Sequence, residues 1–228
     1  VFTNSIFLLS EYNIHGKSTF FNGMRIDNEK IKLNFTDKTL INIDDEINLN
    51  NTNFSISSNF SRYFNEKNHG SFSIYKGFRS PNVDDVGKIF SKTDGLVVVP
   101  NPKLKAEKIY SSELTYAYIN KKIKINVDLF FSFLRDAIAK RDISYNDNDS
   151  IMYDGEMMKM IANTNINSAR LYGFNLKVQN QINDKITVNT LINFVNGISS
   201  DSLPLSHIPP FSIRGELNYK ISNKSKLS

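Results

Sequence analysis

The segment Lys122–Leu134 reads K-I-K-I-N-V-D-L-F-F-S-F-L and alternates apolar with polar residues over most of its length. Successive side chains of a β-strand point to opposite faces of a sheet, so this alternation predicts a strand with one apolar and one polar face. Phe130 and Leu134 are the exceptions, since they fall on the otherwise polar face. The segment is also longer than the roughly five to six residues of a usual strand.

The same period of two recurs along the chain, and no stretch favours a helix. Alternating residues occupy the ranges 54–64, 114–118, 172–178, 186–194 and 211–219. Short turns are predicted near residues 13–17, 65–69, 120–121, 183–184 and 222–224. Long polar connections are predicted at about 27–52, 80–107, 136–168 and 199–208. Short turns at one end and long loops at the other are typical of a transmembrane β-barrel.

The sequence therefore predicts an all-β fold: a transmembrane antiparallel up-and-down β-barrel, here a partial barrel of about nine to ten strands. The Phe- and Ile-rich face would meet lipid, and the opposite face, which carries charges in mid-strand, would meet water. Two alternatives remain open. A soluble β-sandwich binding module explains the alternation equally well, but it does not explain the sorted loop lengths. A passive porin-like or adhesin barrel explains both features.

Composition excludes several other classes of protein. Hydrophobic residues make up 40% of the 228 residues, which is enough for a folded chain, yet no apolar run approaches the ~20 residues of a spanning helix. The absence of cysteine excludes a disulfide scaffold, a thiolate metal site and a cysteine nucleophile. The formal net charge is +5, but the lysines are spread over the whole chain rather than clustered, so no nucleic-acid partner is predicted.

Chemistry-bearing motifs are also missing from the sequence. It contains neither Gly-x-Ser-x-Gly nor His-Glu-x-x-His, and its three histidines are too dispersed for the spacing of a metal site. We therefore predict no enzymatic activity, no catalytic residue, no metal ligand and no cofactor.

Four segments carry a resemblance to a known family. They read YKGFRSPNVDDVGK (75–88), VPNPKLKAEK (99–108), ARLYGFNL (169–176) and PLSHIPP (204–210). In this order and spacing they resemble the barrel of TonB-dependent outer-membrane receptors, over about residues 6–219. Ala106 stands where that family usually has proline, and Asn175 stands where it often has glutamate.

The resemblance implies a location in the outer membrane and contact with its lipid. It implies a parent barrel of roughly 22 strands closed internally by a plug. Such a receptor takes up a scarce nutrient, such as an iron chelate, haem or cobalamin, with energy from the TonB complex, which acts through the plug and N-terminal region. We expect residues 1–228 to be part of the barrel domain with no plug domain present. Such a fragment is not expected to transport by itself, and its nutrient is not identified.

Four residues are candidates for contact with a ligand at the mouth: Arg79, Asp84, Asp85 and His207. Pro81 cannot donate to a strand ladder and biases Ser80 to extended geometry, so the strand carrying Arg79 must end there. Arg79 would then pair with an anionic ligand or a plug carboxylate, or with Asp84 or Asp85 in its own loop. His207 lies in another predicted long loop.

Overall fold

The computed structural model describes residues 1–34, 46–92, 95–145, 147–202, 205, 208–222 and 225–227. Thirteen strands and one short helix, α1 (Val83–Gly87), make up its regular structure. The strands are β1 (Phe2–Ile14), β2 (Ser18–Asn34), β3 (Glu46–Tyr63), β4 (Asn68–Arg79), β5 (Phe90–Lys92), β6 (Leu96–Val98), β7 (Glu107–Ile119), β8 (Ile123–Asp142), β9 (Ser150–Tyr153), β10 (Glu156–Gln181), β11 (Ile186–Ser199), β12 (Ser212–Ser222) and β13 (Ser225–Leu227).

Ten of these strands form one continuous antiparallel sheet in the order β1-β2-β3-β4-β7-β8-β10-β11-β12-β13. The short strands β5, β6 and β9 lie off this path and join the sheet through β10. The sheet is open, because the strand order of the described residues runs from β1 to β13 without pairing between these two ends. The prediction of a partial barrel of nine to ten strands is confirmed. The β-sandwich alternative is wrong, because it requires two packed sheets and the described residues form one.

The strand register aligns apolar side chains into a continuous row, which we call the apolar rung. It crosses eight neighbouring strands through Tyr12, Phe20, Phe60, Phe72, Leu114, Leu129, Phe174 and Phe194. Adjacent rings touch along it: the centroids of Phe20 and Phe60 are 5.4 Å apart, and those of Phe174 and Phe194 are 5.8 Å apart. Cross-strand aromatic pairs of this kind stabilise a sheet.

The residues one position further along β1 form an equally continuous polar rung. It crosses nine strands through Asn13, Thr19, Ser61, Ser71, Thr115, Asp128, Asn175, Asn193 and Ser212. Because neighbouring strand residues point to opposite faces, the two rungs define an apolar face and a polar face of the sheet. Leu114 is 51% exposed and Phe72 is 48% exposed, so no second layer within the described part of the chain covers the apolar face. A contiguous exposed apolar surface marks a contact with lipid or with another protein.

The short turns lie at one end of the sheet, as predicted, and three of them use the same device. The side-chain oxygens of Asn65, Asn120 and Asn183 each accept two backbone N–H groups from the residues two and three positions on. Asparagine mimics a backbone turn in this way. The first turn uses His15 and Gly16, which have φ of 48° and 66°. The predicted turn at 222–224 includes residues that lie outside the described part.

The strands are longer at the other end than the sequence indicated. β2 and β3 pair as far as Asn34 and Glu46, and β8 and β10 pair as far as Asp142 and Ile161, inside segments predicted to be loops. In the projecting parts the apolar residues change to the other face: Ile31 and Leu33 of β2 pair with Leu49 and Ile47 of β3 on the face of the polar rung. Ile31 is 2% exposed and Ile47 is 4% exposed. The alternation seen nearer the short turns therefore does not continue in phase, although the pairing does. In the part of the chain that is described, no helix is long and apolar enough to cross a membrane.

Two small apolar clusters hold the long connections in place. The first contains Val97, Val99, Met158, Met160 and Ala162, so it joins β6 to the projecting part of β10. The second contains Ile47, Val86 and Leu104, which joins α1 and the segment before β7 to β3. The connection between β4 and β7 is therefore folded and packed onto the rest of the sheet.

Candidate ligand site at the long-loop end

The chain leaves β4 at Arg79 and turns at once into α1. Asn82 is the N-cap of this helix: its side chain accepts the N–H of Asp85, and the Asp85 carboxylate accepts the N–H of Asn82. This reciprocal arrangement is a capping box, with Asp in the place of the usual Glu or Gln. The sequence predicted no helix here, because a single turn is too short to show a helical period. The signal that was available is the Asn-x-x-Asp spacing directly after Pro81.

The capped helix presents Asp85 to Arg79, and the strand register presents Glu107 to the same arginine. The Arg79 guanidinium donates to Asp85 at 2.7 Å and lies 3.6 Å from the Glu107 carboxylate. Glu107 is the direct cross-strand partner of Arg79, and its second oxygen accepts the backbone N–H of Ile138 at 2.8 Å. The two carboxylates are mostly covered, whereas the Arg79 side chain is 45% exposed. Arg79 therefore has one face that remains open to solvent.

Asparagines of β10 fasten the β4–β7 connection to the sheet. The Asn163 side chain donates to the Asp85 backbone oxygen at 3.2 Å, and its own backbone oxygen accepts from the Asn101 amide at 2.8 Å. Asn165 accepts the N–H of Lys105 at 2.8 Å and donates to its carbonyl at 3.0 Å. Polar side chains that satisfy loop backbone groups give a loop a defined position.

These contacts enclose a cavity of about 550 Å³ on the polar face. Its polar lining consists of Arg79, Asp85, Glu107, Lys140 and Asn163. Its apolar lining consists of Leu134, Ala137, Ile138, Ala139, Ile166, Leu171, Leu205 and Ile208. A concave site of this size with a few convergent polar groups is the usual form of a small-molecule site.

The last long connection also folds onto this face. A Cβ added to Gly197 would lie 2.8 Å from the Ile208 side chain and 3.1 Å from that of Leu205. Gly197 shares the polar face with Asn193, so both apolar loop residues lie against the inner side of the sheet. Two long connections therefore converge on the polar face, and the cavity lies between them and the strands.

Two of the four predicted site residues contact each other. The structure joins Arg79 and Asp85 in an ion pair and leaves Asp84 exposed in the first turn of α1. His207 lies outside the described residues. The sequence reasoning missed Glu107, Lys140 and Asn163. Glu107 could have been found only by knowing that β4 pairs with β7 in the register that sets it opposite Arg79.

Two lysines lie near one phenylalanine ring beside the site. The Nζ atoms of Lys88 and Lys140 lie 5.1 Å and 5.4 Å from the centre of the Phe90 ring. Cations at this distance are attracted to the face of the ring.

Among the described residues, no group of three histidine, aspartate or glutamate side chains has the arrangement needed to hold a metal ion.

Charge pairs hold the projecting strands together beside the site. Lys32 donates to Glu46 at 2.7 Å across β2 and β3 and holds the pKa of that carboxyl below its usual value. A hydrogen bond to Asp142 raises the pKa of Lys159 between β8 and β10. Because the pKa of Glu46 is lower in the folded state, its ion pair stabilises the folded state at neutral pH. This stabilisation is lost as the pH falls through the pKa of Glu46. Both pairs are therefore intact at neutral pH.

Removal of the Arg79 cation is expected to loosen the β4–β7 connection. Arg79→Gln leaves Asp85 and Glu107 facing each other without a counter-charge, and a partly exposed pair of this kind contributes up to about 1 kcal/mol. Cleavage of residues 80–106 by thermolysin should therefore become faster by up to about five-fold, since 1 kcal/mol changes an open population by about that factor.

The matched control for this variant is Arg62→Gln, which removes an exposed arginine at the short-turn end of β3. It should leave the cleavage rate of residues 80–106 unchanged. Equal acceleration in both variants, or none in either, would contradict the assigned role of Arg79.

The class of protein follows from this geometry. A single antiparallel sheet with an apolar outer face, a polar inner face, short turns at one end and folded loops at the other is the wall of a membrane β-barrel. The profile of the family described as "TonB dependent receptor-like, beta-barrel" matches residues 2–225. The chain belongs to this family, whose members are receptors and transporters rather than enzymes. A porin-like or adhesin barrel is a different class from this family.

Solved structures show the same fold. The copper transporter OprC superposes with a TM-score of 0.77 at 16% identity, covering 96% of this chain and 32% of that one. The ferric enterobactin receptor PfeA of Pseudomonas aeruginosa gives 0.69 at 16% identity, covering 97% and 30%. The iron transporter FrpB of Neisseria meningitidis gives 0.66 at 17% identity, covering 97% and 31%. This chain thus spans about a third of the length of each. No curated protein matches the sequence significantly.

Proposed function

We propose that this chain forms part of the wall of an outer-membrane receptor that imports a scarce nutrient with energy from the TonB complex. Residues 1–228 would belong to the barrel domain of that receptor, and the plug that contacts TonB would lie outside them. The extracellular nutrient enters at the long-loop end, since long loops face the outside in barrels of this kind.

One observation carries this proposal: the long connections fold onto the polar face and form a defined cavity there. A passive pore needs an open, water-filled lumen, whereas a receptor needs a shaped surface that recognises its cargo. Here Arg79, held between Asp85 and Glu107, lies in the wall of a cavity that also has apolar sides. The arrangement suits a bulky solute with both polar and apolar parts.

Iron chelates are the favoured nutrient class. Two of the structural relatives are described as an iron transporter and a ferric enterobactin receptor. Chelates of that kind combine charged oxygen ligands with apolar or aromatic parts, and the lining of the cavity offers partners for both. Haem and cobalamin share this mixed character and remain in the panel to be tested.

The test measures nutrient uptake in cells that carry the intact gene of the full receptor and in cells that lack it. The probes are radioiron-loaded enterobactin, radioiron haemin and radiocobalt cyanocobalamin. Uptake of one probe should depend on the gene and should stop when the proton gradient that drives TonB is dissipated. A probe that enters through the receptor without that gradient would overturn active transport, and equal uptake of all probes with and without the gene would overturn the receptor function.

A further inference from the structure

Four cations lie together on the apolar face, four to six residues from the apolar rung on its long-loop side. We call Lys76, Lys108, Arg135 and Arg170 the outer cation cluster. They lie on β4, β7, β8 and β10, which are four consecutive strands of the sheet. Each cation lies four or six positions along its strand from the rung residue of that strand. Because alternate residues of a strand share a face, all four project from the apolar face.

The register places these cations in two neighbouring rows of cross-strand partners. Lys108 stands directly opposite Arg135 in the outer row. Lys76 and Arg170 lie in the row nearer to the apolar rung, with Tyr110 and Phe133 between them. Like charges directly opposite each other destabilise a sheet. A compensating anion is therefore expected beside them.

The chain supplies little of that compensation. Lys108 lies 3.9 Å from the Asp136 carboxylate, and Lys76 lies over the Phe54 ring at 5.5 Å from its centre. Arg135 and Arg170 are both exposed, and no ion pair within the described part of the chain involves either of them. Two guanidinium groups thus remain available on the outside of the sheet.

An apolar groove of about 560 Å³ begins beside the cluster on the same face. Its walls are Ile56, Ile74, Tyr110, Phe131 and Phe133, and Lys76 lies at its edge. The small residues Ser58 and Ser112 form the floor of the groove, because larger neighbours on the adjoining strands stand above them. A groove on this face is open to acyl chains of the bilayer, whereas the polar lumen is not.

We propose that the outer cation cluster and the adjoining groove bind one phosphorylated lipid of the outer leaflet, with its phosphomonoester on the cations and an acyl chain in the groove. The inference rests on the membrane placement in the proposed function. Arginine binds phosphate oxygens in a bidentate manner, and basic residues beside a membrane surface are attracted to anionic headgroups. A free phosphate would account for the cations but not for the groove beside them. A lipid accounts for both.

The test uses the full receptor in phosphatidylcholine nanodiscs that contain either phosphatidic acid or diacylglycerol. These two lipids differ only in the phosphomonoester. A lipid that binds the folded receptor but not the unfolded chain raises the unfolding temperature of the receptor. The unfolding temperature should therefore be higher with phosphatidic acid, and inorganic phosphate added to diacylglycerol discs should not reproduce the increase.

Variants locate the effect on the sheet. The double change Arg135→Gln and Arg170→Gln should abolish the difference between the two lipids. Its matched control is Lys124→Gln and Lys177→Gln, which removes two cations from the same strands, β8 and β10, but from the polar face. That control should retain the full difference. Ser112→Leu fills the floor of the groove without changing charge and should reduce the difference.

Each result decides between the alternatives. A difference that survives the loss of Arg135 and Arg170, or that inorganic phosphate reproduces, would overturn the lipid site while leaving the receptor function intact. Failure of the wild-type receptor to enter nanodiscs of any composition would overturn both. Loss of the difference in the double variant and its retention in the matched control is the expected result.

Discussion

Leu114→Arg is expected to prevent stable insertion of the protein into a bilayer. Leu114 lies in the apolar rung on β7 and is 51% exposed, so a new side chain there meets whatever surrounds the sheet. An arginine on the lipid face of a barrel costs about 2–4 kcal/mol near the bilayer midplane. Folding into lipid vesicles, measured by resistance to protease and by heat-modifiable gel mobility, should fall accordingly.

Thr115→Arg is the matched control, because it introduces the same charge one residue further along the same strand. Thr115 belongs to the polar rung, so the arginine would enter a wet lumen and insertion should stay close to that of the wild type. Equal loss in the two variants would show that the faces of β7 are not distinguished by their surroundings.

Gly173→Ala is expected to destabilise the β8–β10–β11 region strongly. A Cβ at this position would lie 2.1 Å from the Phe194 backbone oxygen and 2.7 Å from the Phe130 ring. A side chain can rotate away from such a clash, but a backbone oxygen moves only if the strand moves. Overpacking of this kind costs about 1–3 kcal/mol or more. Urea unfolding from vesicles should show a midpoint shift of the corresponding size.

Gly215→Ala provides the comparison for this prediction, because it makes the same chemical change in β12, where an added Cβ would meet nothing within 4 Å. This variant should unfold at the wild-type urea concentration. If Gly173→Ala unfolds there as well, the close approach of Phe130 and Phe194 to Gly173 is wrong.

The faces of the strands and the short turns could be predicted because both depend on local patterns. Alternation in Lys122–Leu134 assigned the apolar face of β8, and the register confirms this for Leu129 and Asp128, which belong to opposite rungs. Phe130, an exception to the alternation, proves to lie over Gly173, where the missing side chain leaves room for its ring. An aromatic residue on the polar face therefore has a local packing reason that one strand alone does not reveal.

The candidate site depends on pairings that the sequence does not show. Arg79 and Asp85 are six residues apart, and their approach follows from the capped turn of α1. Glu107 and Asn163 reach the same place from β7 and β10, and only the sheet order and register bring them there. The strand extension to Asn34 was missed for a related reason: its apolar residues Ile31 and Leu33 lie on the inner face, out of phase with the rest of β2, because a folded connection packs against them there. The ligand roles proposed for Arg79, Asp84, Asp85 and His207 stay predictions.

Single-cysteine labelling at Phe72 and Ser71 tests the central claim most directly. The chain has no cysteine of its own, so each variant carries one unique label, and the two positions are neighbours on β4 in opposite rungs. With a nitroxide attached in bilayers, the label at 72 should be relaxed mainly by oxygen dissolved in lipid, and the label at 71 mainly by a water-soluble nickel chelate. Equal access of the nickel chelate to both labels would contradict a lipid-facing apolar rung and with it the barrel wall.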